Sequence, residues 1–243
     1  MKQRDGYGTT PPHVTGAERD VIATLSARLT AAVECGQARV IVGICGAPGA
    51  GKSRLAEALA ESLGPERAVV VPFDGFHLAT SVIEGTPLMN RRGALDTFDL
   101  GAFRSIIERI RRRDEQTVFA PTYRRGLEEP IASAIPVPRD VPIVITEGNY
   151  LLLDEPALVA ARAHLDEVWY LDTPNDVRLP QLVARHVAFG KPADEAAAWA
   201  TGTDQRNAEL IESTRDRAEL LVTVVRDDAG ELSATGREER PSW

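Results

Sequence analysis

Eight consecutive residues limit what this chain can fold into more than any others do. Gly46-Ala47-Pro48-Gly49-Ala50-Gly51-Lys52-Ser53 fits the pattern G-x-x-x-x-G-K-[ST] without a gap. The pattern carries meaning only between a buried strand and a helix, and both flanks supply it. Arg39 to Gly46 (RVIVGICG) is a short, nearly unbroken apolar run rich in β-branched residues, as suits a strand covered on both faces. Lys52 to Leu63 then keeps Leu55, Leu59 and Leu63 on one helical face. Glycines at such a turn let backbone N–H groups curl around phosphate oxygens, and the helix that follows points its positive end at the same oxygens. Lys52 would reach the terminal phosphates and the Ser53 hydroxyl would ligate Mg²⁺. Residues 46–53, with Arg54 behind them, are therefore the candidate ATP-binding set.

The alternation of strand and helix continues along the chain. Strand-like apolar runs recur at Ala68–Phe73, Pro142–Thr146, Glu167–Leu171 and Glu219–Arg226, which makes five core strands with the first. Between them lie helical patterns. Val21, Ile22, Leu25, Leu29 and Val33 form one stripe, with Thr15 and Glu18 as a predicted capping box and Gly36 as the stop. Asp99 is placed to cap a helix to about Arg113, with Phe103, Ile106, Ile107 and Ile110 inward. Residues 175–189 and 193–218 also read as helices. The pattern predicts an α/β fold, a P-loop NTPase three-layer sandwich with a five-stranded parallel core sheet and a helical lid. Residues 1–13 read as a flexible arm, 14–228 as a single domain with its lid at about 175–195, and 229–243 as a polar tail.

Open parallel sheets bind ligands at the carboxyl ends of their strands. Two acids fall there. Asp74 follows VVVPF and Glu147 follows IVIT. Asp74 suits a general base that takes the proton of an acceptor hydroxyl as it attacks the γ-phosphate. Glu147 stands where a strand-end acid would hold Mg²⁺ with Ser53, directly or through water. His77 is placed either to bond the acceptor or to serve as a packed structural histidine. Arg92 and Tyr123, together with Asn149 and Tyr150 after Glu147, complete the candidate acceptor site, because their donors can orient a hydroxyl compound in line. Asn90-Arg91-Arg92-Gly93 and Tyr123-Arg124-Arg125 are expected in loops. Arg111-Arg112-Arg113 end a helix, where positive charge complements the dipole. Arg185 is the candidate lid arginine, set to neutralise charge on the transferred phosphoryl group, with a hinge at Gly190-Lys191-Pro192.

Composition excludes other classes. The net charge of −8 lacks the basic excess of a general nucleic-acid binder. No stretch has the roughly 18 apolar residues of a membrane span, and the start has no apolar signal core. The two cysteines, Cys35 and Cys45, have no metal-ligand spacing, which points to a reducing, cytoplasmic setting. A nucleotide-switched regulator would share the P-loop, but the chain has neither a guanine-reading N-K-x-D stretch nor a Cys/His metal cluster.

The series GAPGAGKS, PFDGFH, NRRG, APTY, EGNYLLL and ARHVAFGK resembles the phosphoribulokinase/uridine kinase family of P-loop kinases, from about Val40 to Arg217. Type I pantothenate kinases belong to the same group. DGFH stands where uridine kinases carry D-S-F-Y, and pantothenate kinases have a closer D-G-F stretch. The resemblance implies ATP-dependent phosphorylation of a small metabolite's hydroxyl, with a nucleoside or sugar as the leading acceptor and pantothenate as the alternative. It implies Asp74 as base, Glu147 as the acid of the E-G stretch, Arg185 as the lid arginine, and Tyr123 and Arg92 at the acceptor. It also implies an oligomer, a dimer or a tetramer, with the homodimer as the first assembly to test.

Overall fold

The computed structural model describes residues 10–225. In chain order the elements are β1 (His13–Ala17), α1 (Glu18–Glu34), β2 (Val40–Cys45), α2 (Lys52–Leu63), β3 (Ala68–Pro72), α3 (Thr80–Ile83), α4 (Leu100–Arg112), β4 (Thr117–Arg124), β5 (Glu129–Pro138), β6 (Ile143–Glu147), α5 (Pro156–Arg162), β7 (Glu167–Leu171), α6 (Asn175–Ala188), α7 (Ala193–Thr201), α8 (Thr203–Glu212) and β8 (Leu220–Val225). The main sheet is parallel throughout, in the order β1-β8-β7-β2-β6-β3.

Successive strand residues point to opposite faces, and both faces are apolar. Val40, Val42 and Ile44 of β2 join Ile143, Ile145, Trp169 and Leu171 beneath α1 and α2. Ile41 and Cys45 join Val144, Val168 and Tyr170 on the other face, beneath α4 and α5. This is why the strand runs are almost continuously hydrophobic. The sandwich is the one expected, with a parallel sheet between two helical layers.

Five local expectations are corrected. The sheet has a sixth strand, β1, in a stretch read partly as arm and partly as helix cap. Its residues are half-exposed or exposed, and β8 holds them through backbone pairing, so they carry little apolar signal. Ala17 therefore occupies the N-cap of α1 with no side-chain cap, and the Thr15 hydroxyl bonds His13 instead. Tyr123 and Arg124 lie in strand β4, not a loop. The β4–β5 hairpin is antiparallel with an irregularity between Ala120 and Thr122, and its prolines fit because neither strand has a second neighbour. The helix expected at 193–218 is divided at Gly202 into α7 and α8 and ends in a short 3-10 turn. Arg111 and Arg113, expected only to complement the dipole at a helix end, are structural ties. Arg111 donates to the carbonyls of His164 and Arg39 and to Asp166, and Arg113 to those of Arg139 and Ala38. The polar tail at 229–243 lies outside the described residues.

Candidate active site

Strand order brings the predicted groups to one edge. β6 lies between β2 and β3, so Glu147 stands between the phosphate loop after β2 and Asp74 after β3. Phe73 to Phe76 form a 3-10 turn, in which residues three apart share a side. Phe73 and Phe76 go inward, against Phe98, Phe103 and Tyr150, with the Phe73–Phe98 ring centroids 4.7 Å apart. Asp74 is thereby left facing the site.

The glycines of the DGFH and EGNY stretches are explained by close approach. A Cβ on Gly75 would lie 2.5 Å from the Pro121 carbonyl oxygen, and one on Gly148 would lie 2.5 Å from Phe73 Cβ. These contacts seat the hairpin against the β3 turn and the β3 turn against the end of β6.

At the loop, Lys52 Nζ donates to the Ala47 carbonyl at 3.0 Å, and Thr173 Oγ1 donates to that of Ala50. Burial pulls the Lys52 ammonium below its ordinary range, with Glu147 opposing. Ser53 Oγ donates to Glu147 Oε1 at 3.0 Å. Glu147 is 5% exposed. Burial, then the charge of Asp74, pushes its carboxyl up to about 7 against the pull of Lys52 and Ser53. These residues fit Mg²⁺. A hydroxyl whose proton goes to Glu147 keeps its lone pairs for a cation, and a dication would offset the burial of the carboxylate. Among the described residues no group of three or more His, Cys, Asp or Glu side chains is placed to hold a metal. Mg²⁺ in nucleotide sites takes most of its ligands from phosphate and water, so a small protein set suffices.

A cavity of about 270 Å³ opens beside these groups, lined by Ser53, Glu57, Asp74, Tyr123, Arg125 and Glu147 among others. His77 packs its ring 3.9 Å from that of Phe98 and 4.8 Å from that of Tyr123, and its Nδ1 lies 2.8 Å from the Asp74 carbonyl. Burial lowers its pKa. The Tyr123 hydroxyl donates to Glu128 Oε2 and accepts from Arg92, which also donates to the Glu128 carbonyl and Thr80 Oγ1. Tyr150 is 1% exposed and its hydroxyl donates to the Gly93 carbonyl, which pins the NRRG turn. The Asn149 carbonyl accepts from Cys45 Sγ. Arg54 points away from the phosphate loop, to Glu18 of α1 at 2.6 Å. Arg185 on α6 is half-buried, and its electrostatic neighbours are Arg125, Asp74, Asp204 and Glu147. Burial, then Arg125, lowers its pKa.

Two residues gain a part that the sequence left undefined. Arg178 is 1% exposed and donates to the Pro48 carbonyl at the apex of the loop, and to Asn175 and Gln205. Its signal was its spacing, four residues before the buried Leu182 on the same helix face. Arg125 bonds Asp74 Oδ2 through Nη2 at 2.8 Å. The run Tyr-Arg-Arg did not indicate which arginine faces Asp74.

A family model described as "Phosphoribulokinase / Uridine kinase family" matches residues 41–229. A Schizosaccharomyces pombe protein described as "Putative uridine kinase" is 30% identical over 200 residues, covering 78% of this chain and 85% of its own. A pantothenate kinase of Streptomyces avermitilis is 29% identical over 215 residues, covering 75% and 64%. The solved structure of a "putative fructose transport system kinase" from a Silicibacter species superposes with a TM-score of 0.69 at 34% identity, over 81% of this chain and 98% of that one. The strand-end acids, the phosphate loop and these matches together place the chain in one group: it belongs to the phosphoribulokinase/uridine kinase family of P-loop kinases.

Proposed function

We propose that this protein transfers the γ-phosphate of ATP to a hydroxyl of a small metabolite, with a nucleoside or sugar as the leading acceptor class. One observation carries the reading: Asp74 and Glu147, at the ends of neighbouring strands, line the same cavity as Ser53 of the phosphate loop. Residues 46–53 bind the phosphates, and Lys52 reaches the terminal pair. Ser53 and Glu147 would hold Mg²⁺, which would neutralise charge on the phosphates during transfer. Asp74 takes the acceptor's hydroxyl proton as that oxygen bonds to the γ-phosphorus. The bond from phosphorus to the β-phosphate oxygen breaks and ADP leaves, with Arg185 and Lys52 facing the developing charge. His77, Tyr123, Arg92 and Asn149 shape the acceptor end, and Tyr150 acts through the turn it pins. The relatives' names motivate the acceptor classes to try: a uridine kinase, a pantothenate kinase and a fructose transport system kinase.

The test is ADP release from ATP·Mg²⁺ across a panel of nucleosides, sugars and pantothenate, run on wild type and Asp74→Asn. The expected result is turnover with at least one acceptor, and a kcat lower by about 10²- to 10⁴-fold in the variant with nucleotide affinity retained. Near-wild-type turnover in Asp74→Asn removes Asp74 from the base role.

A further inference from the structure

Three parts of the chain meet on the guanidinium of Arg125, which sits on the hairpin turn after β4. Asp74 accepts from its Nη2 at 2.8 Å. The Tyr123 ring, from the hairpin itself, lies 5.9 Å from it by centroid. The Phe189 ring, at the end of α6, lies 5.7 Å from it.

Stability does not account for this junction. The side chains of Arg125 and Asp74 are 39% and 31% exposed. An ion pair that open to water contributes about 0–1 kcal/mol. Phe189 is 50% exposed and adds little to the core. The junction does, however, fix one oxygen of the candidate base. With Oδ2 held on Arg125, Oδ1 remains for an acceptor hydroxyl. An arginine with two rings against its guanidinium is restricted in its fork, so the carboxylate it holds is restricted too.

The lid reaches the same point. Phe189 caps the C-terminus of α6 with its N–H on the Arg185 carbonyl, so it follows Arg185 by one turn on the same side. The helix position that carries Arg185 toward the phosphoryl group also carries Phe189 onto Arg125. Gly190, at φ 93°, follows at once and gives the chain a turn there.

We propose that Arg125 is a positioning residue, which holds Asp74 Oδ2 and transmits the position of α6, through Phe189, to the aim of the base. The proposal rests on the kinase reading above and adds to it a dependence of base geometry on the lid.

The test is a double-mutant cycle on Arg125→Met and Phe189→Ala, with Arg125→Lys as the conservative variant. ADP release is followed with the best acceptor among uridine, fructose and pantothenate, and with water as acceptor when none of these is used. Arg125→Met should lower kcat about 10- to 100-fold, since a misplacement of about 1 Å can cost that much. KM for ATP should move less than about twofold. Phe189→Ala should lower kcat by a smaller factor, and should add almost nothing in the Arg125→Met background. Arg125→Lys, which keeps the charge but not the fork, should recover part of the loss. Thermal midpoints of all variants should match wild type. Losses that multiply in the double variant overturn the coupling, and wild-type kcat in Arg125→Met overturns the positioning role. Absence of any phosphoryl transfer by the wild type overturns the kinase reading and this inference with it, an outcome distinct from the other two.

Discussion

Glu147→Gln tests the electrostatics of the site without substrate. In the nucleotide-free protein, burial and Asp74 push the Glu147 carboxyl from its ordinary 4.5 up to about 7. A tenfold change in proton affinity is worth about 1.4 kcal/mol, so the ionised carboxylate costs the folded state roughly 3 kcal/mol. That figure already includes the opposing attraction of Lys52. The sign follows from proton binding. Below about pH 4.5 both folded and unfolded chains hold the proton, and the cost is absent. Between 4.5 and 7 the folded chain holds a proton that the unfolded chain has released, so stability falls as pH rises. Above 7 the full cost is present. Glutamine keeps the oxygen that accepts from Ser53 Oγ and carries no charge. The variant should therefore match wild type near pH 4.5 and exceed it by roughly 3 kcal/mol at pH 8. With a urea m-value of about 1–3 kcal/mol/M, the midpoint should rise by about 1–3 M. The assay is urea unfolding in EDTA across that pH range. Adding Mg²⁺ with ADP at pH 8 should stabilise wild type more than the variant. A variant no more stable than wild type at pH 8, or a difference independent of pH, would refute the reasoning.

Three further outcomes are expected. Arg178→Met removes the donor to the Pro48 carbonyl and should raise KM for ATP about tenfold, with KM for the acceptor unchanged, as read from steady-state kinetics. Gly148→Ala sets a methyl group against Phe73 in the aromatic cluster and should cost about 1–3 kcal/mol in denaturant unfolding. Arg111→Ala, at a site where the sequence suggested only a charge complementing a helix end, should cost about 1–3 kcal/mol by the same measurement, because it strips a donor from the carbonyls of Arg39 and His164.

The nucleotide end of the site was legible because its chemistry is written in adjacent residues. Gly46 to Ser53 is one uninterrupted stretch, and each strand-end acid directly follows a short apolar run rich in β-branched residues. The hairpin was hidden for the opposite reason. β5 reads EPIASAIPVP, and three prolines disguise a strand that pairs on only one side. β1 was hidden because an edge strand held by backbone pairing needs no apolar alternation. Arg125 was hidden because its importance depends on two elements distant in sequence, Asp74 and Phe189, that only the fold brings to it. The proposed acceptor end is built largely of such convergences. Tyr123, Arg92, Thr80 and Glu128 bond one another across the hairpin and the turns before it. Their hydrogen-bonding capacity is thus partly spent within the protein, and an acceptor must use what remains or exchange for it. A linear motif records a loop that grips phosphate through its own backbone. It does not record a pocket whose walls are supplied by side chains that first bind each other, and for that reason chains sharing the phosphate loop can differ in what they phosphorylate.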